Sequence, residues 1–410
     1  MLSLYNFLTE YMVLEGGAAG HMAHPIDYID FTAEDLKQLV KDIFSGNIED
    51  VTEKIDGTNI QASMNNAGEV VFIRNNSDLN SERGGMSVDD MAIKWKDKQR
   101  IANTFITAGH IIDKVFTKLG SKFFNPDENT RLVVNCECVN AGVTNIVPYN
   151  SAMVAFHDIW VYTKIDGKWK VQKVTKKGLD KLENACEGMD TAKPTPKIII
   201  KTVEESNDLV DKYIKLIDNL FGSDDHKTIN DWKKDRFDEL LNGKWSWIKT
   251  NTEGQQIIFN RWFNGDKKVN LRELKKIYPD NVDDITVIEK SSLYKEVISE
   301  IVEPLETIFL NLGNDVIKLC QGLLNGVKND NVVKQLQQDV KDVVKYIEKD
   351  GTPELQTKLL NQLNRLNRLG GDDSINSTEG IVFKYKDRLM KLTGSFAPLN
   401  QILGSIKYSI

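Results

Sequence analysis

A lysine, an aspartate and a glycine stand close together in Glu53-Lys54-Ile55-Asp56-Gly57-Thr58-Asn59, between two runs with a strand pattern. A lysine amine is a nucleophile once it loses its proton, and its pKa falls readily with desolvation or beside other cations. Glycine lets the backbone come close to a phosphate. The segment therefore predicts covalent chemistry at Lys54, with a phosphate group near Gly57.

The same tetrapeptide occurs a second time, as Lys164-Ile165-Asp166-Gly167. Here Asp-Gly lies between two alternating apolar and polar runs, which is typical of a β-hairpin turn. We therefore predict a turn at the second copy and reactivity only at Lys54. The residues that follow Lys54 are what distinguish the two copies.

Further polar and aromatic elements follow Lys54 in a fixed order. They are Arg74 in FIRNN, Glu137 in NCECVN, Phe156 and Asp158 in AFHDIW, Glu379, Val382 and Lys384 in EGIVFK, and Lys391 in LMKLTGSF. Together with EKIDG they resemble the ordered motifs of the covalent nucleotidyltransferase superfamily. Within it the chain is similar to ATP-dependent polynucleotide ligases, and Gly-Thr-Asn after the lysine is closest to the phage RNA-repair ligases.

The resemblance implies a role for each matched residue. Lys54 would take AMP from ATP as a lysyl-AMP phosphoramidate, and Glu137 would accept hydrogen bonds from the ribose. Phe156 would stack on the adenine with Val382 on its other side, and Mg²⁺ or Mn²⁺ would bind Glu379 and Asp158. The remaining assignments are catalytic for Asp56, Lys384 and Lys391, with both lysines on the phosphates, and nucleotide-binding for Glu53, Gly57, Asn59 and Arg74.

The activity implied is sealing of 5′-phosphate and 3′-OH ends in nicked or broken RNA or DNA, with RNA slightly favoured. Two alternatives stay open. An mRNA-capping guanylyltransferase shares the lysyl-nucleotide chemistry, and a non-catalytic nucleotide-binding adaptor fits the shortened last motif, where Thr393 replaces a second lysine. Labelling by ATP, by GTP or by neither separates the three.

The elements that must position these residues predict an α+β fold, an antiparallel-sheet ligase domain with a large helical insertion. Residues 32–45 predict an amphipathic helix, residues 131–139 and 151–164 predict strands, and 203–370 carries long helical periodicity. The predicted organisation is an extension at 1–27, a nucleotidyltransferase domain at 28–202 and 371–410, and a mostly helical insertion at 203–370 between them.

Within the insertion, residues 229–277 hold eleven Lys and Arg against seven Asp and Glu, interleaved with Trp232, Trp245, Trp247 and Trp262. Basic and aromatic residues together suit a nucleic-acid surface, whereas tryptophans at helical spacing can equally be core. Among the histidines, we interpret His21 and His24 as part of a flexible loop and His157 as a packed strand residue.

Composition bounds the chain. Hydrophobic residues make up 40% and charged residues 28%, typical of a globular protein, and the net charge of -7 argues mildly against nucleic acid as partner. With no long apolar run and four cysteines outside any metal-binding spacing, we expect a monomeric cytoplasmic protein (in the host cytoplasm if phage-encoded) with reduced thiols and no membrane partner.

Overall fold

The computed structural model describes residues 22–140, 146–175, 177–201, 206–244, 298–326 and 329–407, with the short pieces 275–276, 279–283 and 286. Within these ranges no helix is both long enough and apolar enough to cross a membrane. The described chain mixes helices with antiparallel sheets, in agreement with the α+β class.

Two sheets organise the chain. The smaller sheet has the order β1-β10-β11, and the larger has the order β3-β2-β4-β5-β6, with β7 added in parallel to β5. Their strands are β1 (Glu49–Lys54), β2 (Thr58–Met64), β3 (Val70–Ile73), β4 (Thr130–Val139), β5 (Met153–Ile165), β6 (Lys168–Thr175), β7 (Ala192–Pro194), β10 (Gly380–Tyr385) and β11 (Arg388–Leu392). A separate pair joins β8 (Ile199–Ile200) to β9 (Cys320–Gln321). Only residues 55–57 separate β1 from β2, so the reactive segment crosses from one sheet to the other.

The helices cover the outer faces of the sheets. In chain order they are α1 (Ala33–Ser45), α2 (Asn76–Leu79), α3 (Val88–Lys94), α4 (Gln99–Leu119), α5 (Ser121–Phe124), α6 (Leu179–Cys186), α7 (Ser206–Phe221), α8 (Ile229–Asn242), α9 (Glu303–Leu319), α10 (Asp330–Asp350), α11 (Pro353–Arg368) and α12 (Phe396–Lys407). Helix α4 buries its apolar stripe against one face of the larger sheet, where Ile60, Val134 and Cys136 line the core. Cys136, Cys138, Cys186 and Cys320 are all buried free thiols.

Helix α1 begins and ends where the sequence predicts. The Thr32 side chain accepts the Asp35 N–H and the Asp35 carboxylate accepts the Thr32 N–H, which satisfies two free donors of the first turn. Gly46 ends the helix in the left-handed conformation. The predicted hairpin is also confirmed, because β5 and β6 pair around the turn at 166–167.

The helical segment 203–370 does not build a core of its own within its described part. Helices α7, α8 and α9 pack into the same core as α1 and the buried face of β10 and β11. Helices α10 and α11 pack with α12 and with residues of the larger sheet, among them Val139 and Ala155. The segment predicted as an insertion is therefore continuous with the cores that support the two sheets.

The basic, tryptophan-bearing stretch is divided by this packing. Trp232 on α8 is buried in the core, and Lys233 beside it is only 5% exposed. These two residues therefore belong to the helix-packing interpretation and not to a nucleic-acid surface. Trp245, Trp247 and Trp262 lie outside the described residues.

Candidate active site

The smaller sheet places Lys54 and Lys391 on one face. Thr52 pairs with Val382 and Lys54 with Gly380, while Val382 pairs with Lys391 on its other side. Directly paired residues of antiparallel strands point the same way, and every second residue shares a face. The two lysines and Val382 consequently face the same space, opposite the core packed by α9.

Lys54 is held by a carboxylate from the far end of the chain. Its Nζ lies 2.5 Å from Glu379 Oε1, and both side chains are largely buried. Burial opposes the ammonium charge of Lys54, but Glu379, Glu137 and Asp56 outweigh it and raise the lysine pKa. Burial likewise raises the pKa of Glu379 against the opposing charge of Lys54. Lys54 is therefore held as an ammonium ion beside a carboxylate whose pKa is raised.

The larger sheet contributes polar side chains to the same space. Asn59 on β2 pairs with Glu137 on β4, and its Nδ2 donates to Asn135 Oδ1 at 2.9 Å. Arg74 follows β3, and its Nη1 donates to the Asn59 carbonyl at 2.5 Å. Burial lowers the pKa of Arg74, while Glu137 is among the groups that oppose this. Asn59 and Glu137 thus face the same side of the larger sheet, and Arg74 is held to the backbone of Asn59.

Asp56 and Gly57 fix the crossing between the sheets. Asp56 Oδ2 accepts the Val147 N–H at 2.6 Å, and the Asp56 N–H donates to Tyr149 Oη. A Cβ at Gly57 would lie 2.8 Å from the Cys138 carbonyl oxygen and 2.9 Å from Glu137 Cγ. The glycine is needed because the segment presses against β4, a packing reason beside the predicted phosphate contact.

Glu53 does not lie at this site. It points to the opposite face of β1 from Lys54, is 1% exposed, and accepts the Leu324 N–H at 2.7 Å and the Thr378 hydroxyl at 2.9 Å. Burial raises its pKa to about 7. The nucleotide-binding assignment of Glu53 is replaced by a structural one, in which it ties β1 to the residue before Glu379.

Phe156 also faces away from the site. Its ring is fully buried and lies 6.2 Å from the Phe116 ring in the core beneath α4, so it has no face free for adenine. Phe156 points this way because it pairs with the buried Cys136, and a β-bulge follows it in β5. Asn135 pairs with Asp158 but Cys136 pairs with Phe156, which leaves His157 as the extra residue.

His157 faces the Glu137 side of the sheet, because it lies two residues along β5 from Ala155, which pairs with Glu137. Its Nε2 lies 3.6 Å from Glu137 Oε2, and its Nδ1 lies 2.6 Å from the Thr195 hydroxyl on the segment after β7. His157 is an aromatic ring beside the predicted ribose-binding carboxylate, the position the sequence assigned to Phe156. The prediction that His157 is a packed strand residue is confirmed, and its contact with Glu137 was not predicted.

Lys384 stands apart from the other lysines. It lies two residues beyond Val382 on β10, and its Nζ contacts Asp387 at 2.9 Å and Glu49 at 3.8 Å. The hydrogen bond that its ammonium donates to the Asp387 carboxylate is the main reason that its pKa is raised. The structure therefore does not bring Lys384 to the Lys54 cluster, unlike Lys391, whose lowered pKa reflects burial and the charge of Lys54.

The two predicted metal ligands come from different sheets. Asp158 pairs with Asn135, one step from Glu137, whereas Glu379 is engaged by Lys54. Among the described residues no three His, Cys, Asp or Glu side chains gather as a ready-made metal site.

A second histidine joins the site from the N-terminal segment. His24 is half-buried, and burial lowers its pKa to about 4, helped by the charges of Lys391 and Lys54 and opposed by Asp27. The sequence predicts His24 in a loop, and its motif GHMAHP carries no signal that the imidazole lies near Lys391 and Lys54.

No family model, curated protein or solved structure matches this chain. The site must therefore be interpreted from its own chemistry. The Lys54 amine contacts the Glu379 carboxylate and lies near Lys391, with polar side chains of the adjoining sheet on the same side. This arrangement suits attack by an amine on a phosphorus atom whose leaving group is anionic.

Proposed function

We propose that the chain is an ATP-dependent nucleotidyltransferase that forms lysyl-AMP at Lys54 and acts as a polynucleotide ligase. The observation that carries the proposal is the approach of Glu379 to Lys54 across 325 residues of sequence, at the position where the motif order requires it. A chance KxDG match has no reason to be completed by an acid from the motif at the other end of the chain. Lys164, in the second copy, lies on β5 just before a hairpin turn, with its Nζ over the Trp169 ring.

The chemistry assigns a task to each residue. The neutral Lys54 amine attacks the α-phosphorus of ATP, an N–P bond forms, and the P–O bond to pyrophosphate breaks. Glu379, 2.5 Å away and made more basic by burial, is placed to accept the proton that the amine loses. Lys391 supplies positive charge where the leaving pyrophosphate gathers negative charge.

The proposal includes a divalent cation bound together with the nucleotide. Mg²⁺ at nucleotide sites is commonly bound by one or two carboxylates together with substrate phosphates. Glu379 and Asp158 are the carboxylates that would hold it, and it would neutralise phosphate charge when bound.

The base and ribose fit the larger sheet. Glu137 would accept a hydrogen bond from the ribose hydroxyl. The Asn59 side chain contacts the Glu137 carboxylate, and the charge of Arg74 lies near it. His157 takes over the stacking role from Phe156, and Val382 on the smaller sheet covers the other side of the base. RNA ends remain slightly favoured over DNA ends as the final substrate.

Basic side chains near Arg74 suit a polynucleotide backbone. Lys96, Lys98 and Arg100 are exposed between α3 and the start of α4, and Lys98 Nζ lies over the Trp95 ring. Arg74 lies over the Phe105 ring of the same helix. A strand end bound here would be close to the nucleotide pocket, and its binding would weaken as salt rises.

The test is covalent labelling. Protein incubated with α-labelled ATP and Mg²⁺ should acquire an acid-labile AMP adduct, which Lys54→Ala abolishes. The matched control is Lys164→Ala, which removes the lysine of the identical tetrapeptide and should label normally. Equal labelling of both variants would overturn the assignment of Lys54.

The nucleotide and the acceptor decide between the activities. Label from GTP alone would replace the ligase by a capping-type guanylyltransferase, and label from neither would favour an adaptor. If ATP labels, nicked duplexes in every RNA and DNA strand combination then show whether AMP is passed to a 5′-phosphate and the nick sealed. Labelling without sealing on any duplex would remove the ligase step and leave the nucleotidyltransferase.

A further inference from the structure

The N-terminal segment is fastened along β11 next to the nucleophile. The Lys391 N–H donates to the Ala23 carbonyl at 3.0 Å, and the Tyr28 hydroxyl donates to the Leu389 carbonyl at 2.9 Å. The Arg388 guanidinium donates to both carboxylate oxygens of Asp30, at 2.8 and 2.6 Å. We call residues 22–30 the strap, because these contacts hold them along the length of the strand.

The pairing of the strap decides where His24 points. Ala23 forms a parallel bridge with Met390, and both side chains are buried on the core side of the strand. Side chains alternate along an extended segment, so the next residues, His24 and Lys391, face the opposite side together. That side carries Lys54 and Val382.

We propose that His24 is a phosphate-contacting residue of the nucleotide site, donated by the strap. This inference rests on the proposed function. The imidazole lies beside Lys391, the group assigned to the leaving pyrophosphate, and a neutral imidazole donates one N–H to a phosphate oxygen. It adds this donor without placing a third positive charge against Lys391 and Lys54, consistent with its lowered pKa.

The strap itself is held by backbone atoms and by other side chains. The His24 N–H donates to the Asp27 carboxylate at 2.8 Å, and the Asp27 N–H donates to the His24 carbonyl. Pro25 and Ile26 provide the buried contacts. Replacing the imidazole should therefore leave the strap in place, which makes His24 testable by substitution.

The experiment compares His24→Ala with His110→Ala, which removes an exposed histidine from α4. His24→Ala should slow lysyl-AMP formation about ten- to a hundredfold, the range for losing a hydrogen bond to a charged group. Release of ATP from preformed lysyl-AMP by added pyrophosphate should slow by a similar factor. His24→Asn, which keeps a donor, should recover part of both rates, and His110→Ala should match the wild type.

A second measurement separates this inference from the proposed function. Lys54→Ala protein cannot be adenylated, so its affinity for ATP reports the pocket alone. Adding His24→Ala to it should weaken ATP binding about tenfold or more, with an unchanged melting temperature. Unchanged ATP binding, or His24→Ala rates equal to those of His110→Ala, would overturn the role of His24 while Lys54 labelling stands. If ATP never labels the wild-type protein but His24→Ala still weakens ATP binding, the phosphate contact of His24 stands and the proposed enzyme activity is overturned.

Discussion

Replacing Glu53 by glutamine should make the protein more stable above neutral pH. The carboxylate is 1% exposed, and burial raises its pKa from 4.5 to about 7, against the hydrogen bonds from Leu324 and Thr378. Glutamine can accept the Leu324 N–H with its oxygen and donate to the Thr378 hydroxyl with its nitrogen. It therefore keeps the two contacts and removes a charge that is costly to bury.

The sign of the pH dependence follows from the raised pKa. The folded chain holds the Glu53 proton more tightly than the unfolded chain, so this stabilisation is complete below the unfolded pKa of 4.5 and is lost as the pH rises through about 7. An increase from 4.5 to about 7, at about 1.36 kcal/mol per pKa unit, amounts to roughly 3 kcal/mol. About 2.5 kcal/mol of this falls between pH 5 and pH 8.

Urea unfolding at those two pH values measures the effect. The free energy of unfolding of Glu53→Gln relative to wild type should improve by about 2.5 kcal/mol from pH 5 to pH 8. The control is Glu82→Gln, which neutralises an exposed glutamate and should leave the wild-type pH dependence. Glu53→Gln should also keep AMP labelling, because its side chain faces away from Lys54. An unchanged pH dependence refutes the burial argument, and lost labelling restores Glu53 to the nucleotide site.

Three further predictions concern the site itself. His157→Ala should raise the KM for ATP about tenfold through loss of a stacking face, whereas Phe156→Leu should lower the melting temperature and leave KM unchanged; the reverse pattern would restore the original assignment of Phe156. Lys391→Ala should abolish labelling. Lys384→Ala should reduce labelling less than about threefold, because the Lys384 Nζ is paired with Asp387 at the turn beyond the site. Equal losses of labelling in the two variants would contradict this. The labelling rate should rise with pH through the alkaline range, because nearby carboxylates raise the pKa of Lys54 and only its neutral amine reacts. A rate that does not change with pH would contradict a protonated Lys54 in the free protein.

Local signals in the sequence predicted the local structure. Thr32 and Asp35 cap the start of helix α1, and Gly46 ends it. Each of these residues lies within four positions of the helix end that it determines. The hairpin at Asp166-Gly167 needs two residues with positive φ, which this pair tolerates. The strand predicted at 131–139 is also confirmed, and its alternation puts Asn135 and Glu137 on one face and Cys136 on the other.

Prediction was wrong where one residue changes the phase of a strand. A bulge in β5 follows Phe156, so Phe156 and Asp158, which regular alternation would put on one face, point to opposite faces. The direction of Glu53 follows from the pairing of β1 with β10, a partner more than 300 residues away in sequence. Neither fact is encoded in the few residues around the motif.

The position of β10 also explains how the helical segment 203–370 contributes to the site. Lys54 sits on β1, but Glu379 and Lys391 belong to the β10–β11 hairpin, which follows the segment. Helix α9 packs against both strands of this hairpin, and the Leu324 N–H that binds Glu53 lies in the connection after α9. The helices therefore bring the β10–β11 hairpin beside β1, in the register that puts Glu379 next to Lys54. The helical segment therefore affects the proposed nucleotide site by fixing where β10 and β11 lie, independently of any surface that it offers to a polynucleotide.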